Sequence, residues 1–138
     1  MNKPFDPRPI IDRHLHTLVD QVDSALGAIA VTTDGHFLCG AQRKEIPGKR
    51  LAAMGSTLMS LGNTITKELE MGACRNVISE NERGVVVFMQ ITSRIVLVAA
   101  AGDRSALGML LSASRNCLDK IKTELNIDNK EQQNGKSE

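Results

Sequence analysis

The chain has 138 residues, of which 41% are hydrophobic and 24% are charged, and its formal net charge is +1. This length and composition indicate a single globular domain and exclude an intrinsically disordered chain. The balanced charge and the 2% aromatic content, all of it Phe, argue against a nucleic-acid interface and against aromatic ligand cages.

The chain begins with an extended segment, which we predict over residues 1–9. This segment holds Pro4, Pro7 and Pro9, and Pro9 is suited to the first turn of a following helix. The apolar residues that come next recur at steps of three and four, which is typical of an amphipathic helix. The stripe comprises Ile11, Leu15, Leu18, Val19 and Val22.

A β-hairpin is predicted after this first helix. Small and β-branched residues at positions 28–32 precede Asp34-Gly35, a dipeptide common in tight turns, and residues 36–39 form the returning strand. The polar stretch 42–49 then separates the hairpin from a second helix.

The second helix is predicted from about Arg50 to Glu70, with Gly72 as its stop. One stripe is expected to pack on a sheet: Leu51, Met54, Leu58, Leu61, Ile65 and Leu69. A neighbouring stripe is made of small residues: Ala52, Gly55, Met59, Gly62 and Thr66. A mid-helix glycine costs about 1 kcal/mol relative to alanine, and close approach of another backbone is one way to offset that cost.

Three strands and a last helix are predicted in the C-terminal half. Residues 75–80 alternate apolar and polar, whereas 85–89 and 95–101 are continuous apolar runs typical of strands covered on both faces. Asp103 or Ser105 can cap a helix that keeps its apolar period to Leu125. The order of elements predicts an α+β fold with helices on both faces of a sheet.

The last residues are too polar to be buried. We therefore predict a flexible tail at residues 127–138, which leaves residues 10–126 as the domain. The apolar runs fall short of the ~20 residues that span a bilayer, and the N-terminus lacks the pattern of an export signal. A cytoplasmic location without membrane insertion is expected.

Chemically reactive residue patterns are few. His14 and His16 are two residues apart, so on a helix they point to different faces and are expected not to share a metal ion. His36 is interpreted as a strand-edge residue. The three cysteines, Cys39, Cys74 and Cys117, are widely spaced and odd in number, which favours buried free thiols in a reducing compartment over disulfides or zinc. At residues 102–108 a helix cap is favoured over an anion site.

Three segments resemble the Roadblock family of dynein light chain-like proteins and its bacterial MglB-like members. They are residues 28–35, the helix opening 51–54 and residues 97–108, and the resemblance extends from about Ile10 to Leu125. It implies a profilin-like, five-stranded antiparallel sheet ordered 2-1-5-4-3. The second helix would lie on one face of this sheet, and the first and third helices on the other.

The resemblance also implies a function. Members of this family regulate small Ras-like GTPases, as bacterial gliding-motility regulators do, or act as scaffolds, without a catalytic residue, cofactor or metal. It implies a homodimer in which second helices pack antiparallel and third strands pair edge to edge, with interface residues Ala52, Gly55, Met59, Gly62, Thr66, Arg75, Val77 and Ser79. The paired second helices would present a GTPase-binding platform that includes Arg50, Ala53, Ser56, Ser60 and Asn63.

Two other interpretations follow from the sequence. A profilin-like sensory or ligand-binding module would need a pocket between sheet and helix. An enzyme that uses His14, His16 or His36 is disfavoured, because no acid, base and nucleophile converge in the sequence.

Overall fold

The structure, a computed structural model, describes residues 5–126. The predicted flexible tail at 127–138 and the first four residues of the predicted extended segment lie outside the described residues. The elements in chain order are α1 (Arg8–Gln21), β1 (Ala25–Thr32), β2 (Phe37–Gln42), α2 (Gly48–Glu68), β3 (Asn76–Asn81), β4 (Gly84–Gln90), β5 (Ile95–Ala101), a short 3-10 turn (Arg104–Ala106) and α3 (Leu107–Leu125).

The five strands form one antiparallel sheet in the order β2-β1-β5-β4-β3. Helices α1 and α3 cover one face of it and α2 packs on the other. This is the α+β, profilin-like arrangement that the family resemblance predicts, with one helix on one face and two on the other. The central strands β5, β1 and β4 are the most buried, as expected for strands covered on both faces.

The larger core lies between the sheet and the α1–α3 layer. The predicted stripe of α1 forms part of it: Ile11, Leu15, Leu18, Val19 and Val22 are all buried. Pro9 lies in the first turn of this helix, where its missing N–H has no helical partner to lose. On α3, Leu110, Cys117 and Ile121 are buried on the same side of the sheet.

Turn residues define the hairpin and the end of α2. Gly35 has a φ of +93°, which supports the tight turn predicted at Asp34-Gly35. The prediction that Gly72 stops the second helix is wrong. The helix ends at Glu68, and Glu70 takes the first left-handed conformation, with a φ of 55°. The Met71 N–H then donates to the Thr66 carbonyl, as in a Schellman cap, before Gly72 is reached.

Asp103 caps the last helical segment as predicted. Its side chain accepts a hydrogen bond from the Ser105 N–H at 2.9 Å, and the 3-10 turn it starts continues into α3.

Candidate interaction surface on the second helix

Helix α2 packs on the sheet through the stripe that contains Ala52, Gly55 and Met59. Ala52, Gly55 and Met59 are the buried residues of this helix. A Cβ atom added to Gly55 would lie 3.4 Å from Val98 and 3.5 Å from Phe88, two residues of the sheet. The glycine therefore brings the helix backbone close to its own sheet.

Gly62 has a similar role closer to the end of the helix. A Cβ atom at this position would lie 2.7 Å from the Cys74 sulfur and 3.4 Å from Val77. The first distance is shorter than a real side chain tolerates, so Gly62 allows α2 to rest on the segment that leads into β3. A hydrogen bond also joins this segment to α2: the Cys74 N–H donates to the Asn63 Oδ1 at 2.9 Å.

The predicted roles of the two stripes of α2 are therefore wrong. The stripe of Ala52, Gly55 and Met59 packs against the sheet of its own chain. These residues are buried and do not offer a surface to a second copy. The large apolar residues expected to pack on the sheet are instead mostly exposed. Helical periodicity alone identifies stripes but not which of them faces the sheet. In this helix the small residues fit where the backbone must approach the strands closely.

The exposed residues define an apolar flank of α2. Met54, Leu61, Ile65 and Leu69 are 50%, 54%, 51% and 58% exposed. Leu51 and Leu58, together with Val77 and Val86 of the sheet, continue this surface inward as half-buried residues. Contiguous apolar surface of this kind marks interaction sites in soluble proteins.

A second sequence feature marks the same helix. From Leu51 to Thr66 the chain carries no Asp, Glu, Lys or Arg, although α2 is a surface helix. Depletion of charge is the compositional signature of the buried part of a protein interface. The missing charges are visible in the sequence and mark α2 as a helix that contacts a partner, whereas helical periodicity does not distinguish its faces.

The opposite flank of α2 is polar and contains most of the predicted partner-binding residues. Ser60 is exposed and Ser56 and Asn63 are half-buried, and all three line an open cleft of about 380 Å³. Met59, Thr64 and Lys67 complete the helix side of the cleft, and Thr33, Gln90 and Ser93 form its other wall. Arg50 and Ala53 are also exposed. The five predicted residues thus lie on accessible or partly accessible surface.

The remaining predicted interface residues lie at or near the β3 edge of the sheet. Val77 and Ser79 are half-buried residues of β3, and Arg75 is exposed just before this strand. Thr66 is half-buried close to the end of α2, where its hydroxyl donates to the Asn63 carbonyl at 3.2 Å. Within residues 5–126, β3 pairs only with β4 and ends the sheet. Its other edge therefore holds backbone groups that no strand of this range pairs with.

The histidines each lie beside a carboxylate. His14 Nε2 is 2.7 Å from Glu124 of α3, and Glu124 also binds Arg13, so this carboxylate joins α1 to α3. Hydrogen bonds from Arg13 and then from His14 lower the pKa of Glu124. Within residues 5–126, no three His, Cys, Asp or Glu side chains come together in a way that could hold a metal ion.

The three cysteines are free thiols. Burial raises the pKa of Cys39 to about 11 and that of Cys117 to about 12. Neither thiol is an activated nucleophile, since activation requires a lowered pKa. Both instead contribute to the packing between the sheet and the α1–α3 layer.

Another cleft, of about 750 Å³, lies away from the space between α2 and the sheet. It is lined by the α2–β3 connection, the end of β4 and the α3 residues Arg115, Leu118, Asp119 and Lys122. At Gly55 the space between α2 and the sheet has room for about one methyl group, since an added Cβ would already be in van der Waals contact with Val98 and Phe88.

Both the sequence and the fold are similar to those of known proteins. The profile of the Roadblock/LC7 domain matches residues 11–101. No curated protein sequence matches the chain. Among solved structures, Myxococcus xanthus MglB is 16% identical, with 91% of this chain and 95% of that chain covered and a TM-score of 0.81.

Two further structures place the fold more broadly. A structure described as MglB with tetrameric arrangement is 15% identical, with 86% of this chain and 90% of that chain covered and a TM-score of 0.76. Acanthamoeba castellanii profilin IA is 12% identical, with 82% of this chain and 97% of that chain covered and a TM-score of 0.54. At these identities the likeness concerns the fold. None of the helices within residues 5–126 has both the length and the apolarity needed to cross a bilayer.

Proposed function

We propose that this chain, which belongs to the Roadblock/LC7 family, is a non-enzymatic homodimer that binds a small Ras-like GTPase and regulates or localises it in the cytoplasm. Its second helices would pair through the apolar flank, and the GTPase would bind the platform that the pair forms. The single observation that carries the proposal is the exposed apolar flank on a helix free of charged residues from Leu51 to Thr66.

The apolar flank supports a second copy as the first partner. The flank is a linear stripe on one helix, and a stripe of this kind is self-complementary when two copies meet about a two-fold axis. Val77 of β3, the strand with the open edge, packs against the same buried cluster as Leu51 and Leu58 of this helix. One dimer could therefore cover both features that a monomer leaves exposed.

The family supports a GTPase as the second partner. Roadblock proteins, to which the bacterial MglB-like members belong, include regulators of small Ras-like GTPases. The polar flank around Ser56, Ser60 and Asn63 offers hydroxyl and amide groups on the side of α2 that dimerisation would leave accessible. In this proposal the chain acts by holding the GTPase rather than by catalysis of its own.

Sedimentation velocity of the purified chain at micromolar concentration tests the dimer. We expect a dimer for the parent protein and a monomer for Leu61→Lys, because a buried lysine without a partner charge weakens an interface by more than about tenfold. Ser60→Lys, on the polar flank one residue away, is the matched control and should stay dimeric. A monomeric parent, or equal dimerisation of both variants, would refute this use of the apolar flank.

Binding of the GTPase is tested separately. The immobilised chain is incubated with small Ras-like GTPases of the same organism, each loaded with GDP or with a non-hydrolysable GTP analogue. We expect one of them to bind in a nucleotide-dependent manner. If the parent protein is a dimer but binds none of these GTPases in either nucleotide state, the proposed GTPase partner is refuted and the proposed dimer is not.

A further inference from the structure

The cleft of about 750 Å³ beside α3 has an uneven distribution of charge. Three cations line it, Arg75, Arg115 and Lys122, against one carboxylate, that of Asp119. The whole chain has a formal net charge of only +1, so positive charge is concentrated here. Like charges around a concave surface focus their field and attract ions of the opposite sign. This cationic cleft therefore favours an anionic ligand.

Two of the three cations lack a counterion. Arg75 is an exposed residue of the connection between α2 and β3, and Arg115 is an exposed residue of α3. Within residues 5–126, neither guanidinium takes part in an ion pair, although Asp119 lies one helical turn after Arg115. A guanidinium stays charged at physiological pH and presents its donors as a planar fork, which binds an oxyanion through two parallel hydrogen bonds. Both forks are available to a ligand.

The turn between β4 and β5 adds a hydroxyl donor to the same cleft. The Thr92 Oγ1 accepts hydrogen bonds from the Arg94 N–H at 3.0 Å and from the Ile95 N–H at 3.1 Å. A hydroxyl oxygen has two lone pairs, so both are used and only the hydroxyl proton is left to donate. In the part of the chain that the structure describes, no group accepts this proton. Because Thr92 lines the cleft, an acceptor bound there can take it.

The size and lining of the cationic cleft indicate the body of the ligand. Its volume falls within the ~300–1,000 Å³ that small-molecule sites occupy, so the ligand extends beyond a single charged group. None of the described residues that line the cleft is aromatic, and a nucleobase therefore finds no ring to stack on. Asn76, Gln90 and Ser93 contribute amide and hydroxyl side chains to the lining. These groups suit a body that carries hydroxyl groups.

The number of donors indicates the charged group. A phosphate monoester carries a charge of about −1.5 to −2 at neutral pH and has three acceptor oxygens, whereas a carboxylate has one charge and two oxygens. Two arginine forks and the Thr92 hydroxyl supply enough donors for three oxygens. The excess of positive charge in the cleft also matches a group with more than one negative charge.

We propose that the cationic cleft binds a small organic phosphate with a hydroxyl-bearing body, of the chemical class of the sugar phosphates. Arg75 and Arg115 hold the phosphate from opposite sides of the cleft, and the Thr92 hydroxyl donates to one of its oxygens. The amide and hydroxyl side chains bind the body. The site is formed by one chain, so this inference does not depend on the proposed homodimer or on the GTPase.

Isothermal titration calorimetry of the full-length chain with glucose 6-phosphate, in a phosphate-free buffer of low ionic strength, tests the site. We expect a dissociation constant below about 1 mM and binding that strengthens as the pH rises from 5 to 7, because the phosphate loses its second proton with a pKa near 6. Arg75→Gln and Arg115→Gln should each weaken binding by about tenfold or more, through the loss of charge-assisted hydrogen bonds. Arg115→Lys, which keeps the charge but not the fork, should have an intermediate effect.

Arg83→Gln is the matched control. It removes the same charge from the turn between β3 and β4, outside the cleft, and should bind like the parent. Thermal unfolding and sedimentation of every variant are measured alongside, because Arg75 is also a predicted interface residue. If Arg75→Gln changes the oligomeric state, Arg115→Gln on α3 still decides the outcome.

Three further ligands separate the sources of a phosphate group. Inorganic phosphate that bound as tightly as glucose 6-phosphate would overturn the role assigned to the body of the ligand. A phosphoserine peptide or vesicles containing phosphatidic acid, if bound in preference to the sugar phosphate, would overturn a small-molecule site and assign the cleft to a protein or a lipid surface. Absence of binding by all four ligands, or an equal loss in Arg83→Gln and Arg115→Gln, would refute the site itself.

Discussion

Two glycines in one helix have different surroundings and should respond differently to the same substitution. A methyl group at Gly55 would make ordinary contacts of 3.4–3.6 Å with Val98 and Phe88, whereas at Gly62 it would lie 2.7 Å from the Cys74 sulfur. We expect Gly55→Ala to be neutral or to raise the free energy of unfolding by up to about 1 kcal/mol, through the better helix propensity of alanine. Gly62→Ala should lower it by roughly 1–3 kcal/mol through overpacking.

Chemical denaturation measures both values. Because Leu61→Lys is expected to be monomeric, it is the background in which unfolding reports on a single chain. If both alanines destabilised this background equally, the contacts described for Gly55 would be wrong. If Gly62→Ala were harmless there, the close approach of α2 to Cys74 would be wrong.

Ser114 is a buried polar residue of α3 whose hydroxyl has no hydrogen-bond partner within the described residues. An unsatisfied buried hydroxyl opposes folding, so its removal should help. We expect Ser114→Ala to raise the free energy of unfolding by about 1 kcal/mol, measured by denaturation at neutral pH. Ala113→Ser, one residue away in the same core, is the matched control and should lower it. A destabilised Ser114→Ala variant would show that the hydroxyl has a partner after all.

At the scale of elements, the sequence predicts which helices and strands are present better than it predicts which face of a helix is buried. The helices, the hairpin and the two apolar strands follow from periodicity and turn residues, and β5 begins and ends where predicted. The face of α2 does not follow, because both of its stripes are uncharged and either can be buried. The choice depends on how closely Gly55 and Gly62 can approach residues that lie far along the chain.

The contact between α1 and α3 has a predictable pH dependence. Glu124 of α3 binds Arg13 and His14 of α1, and these hydrogen bonds lower its pKa from the ordinary value of 4.5. A carboxylate whose pKa is lower in the folded state contributes stability above its unfolded pKa and loses it as pH falls through the folded pKa. We expect Glu124→Gln to melt below the parent at pH 7, and the difference to shrink as pH falls below 4.5.

Thermal unfolding across this pH range measures the effect, with Glu68→Gln as the control. Glu68 is an exposed residue at the end of α2, so its substitution should produce no comparable trend. A difference between parent and Glu124→Gln that persisted unchanged well below pH 4.5 would show that the carboxylate stabilises the fold by something other than its ionised contacts.

At the scale of the whole molecule, the fold and the interaction surfaces differ in how far they can be predicted. Family resemblance anticipates the sheet order β2-β1-β5-β4-β3. Chain connectivity alone accounts for the β1–β2, β3–β4 and β4–β5 hairpins, whereas the central β1–β5 pairing joins strands that lie far apart along the chain. The surface of an assembly depends on which residues remain exposed after folding. The predicted partner-binding residues lie on accessible surface, whereas part of the predicted dimer interface lies beneath α2.

The two flanks of α2 should separate two kinds of binding. If the apolar flank joins two copies, the polar flanks stay accessible in the dimer, with the cleft beside Ser56, Ser60 and Asn63 open on each. A single arginine at Ser60 should then leave sedimentation unchanged and weaken GTPase binding by about tenfold or more, since it places a bulky charge in a hydroxyl-lined contact.

Met109→Arg, at an exposed position on α3, is the control on the opposite layer and should affect neither measurement. Binding titrations of the dimeric variants against one nucleotide-loaded GTPase decide the matter. Loss of GTPase binding in Met109→Arg, with Ser60→Arg unaffected, would move the GTPase site to the α1–α3 face.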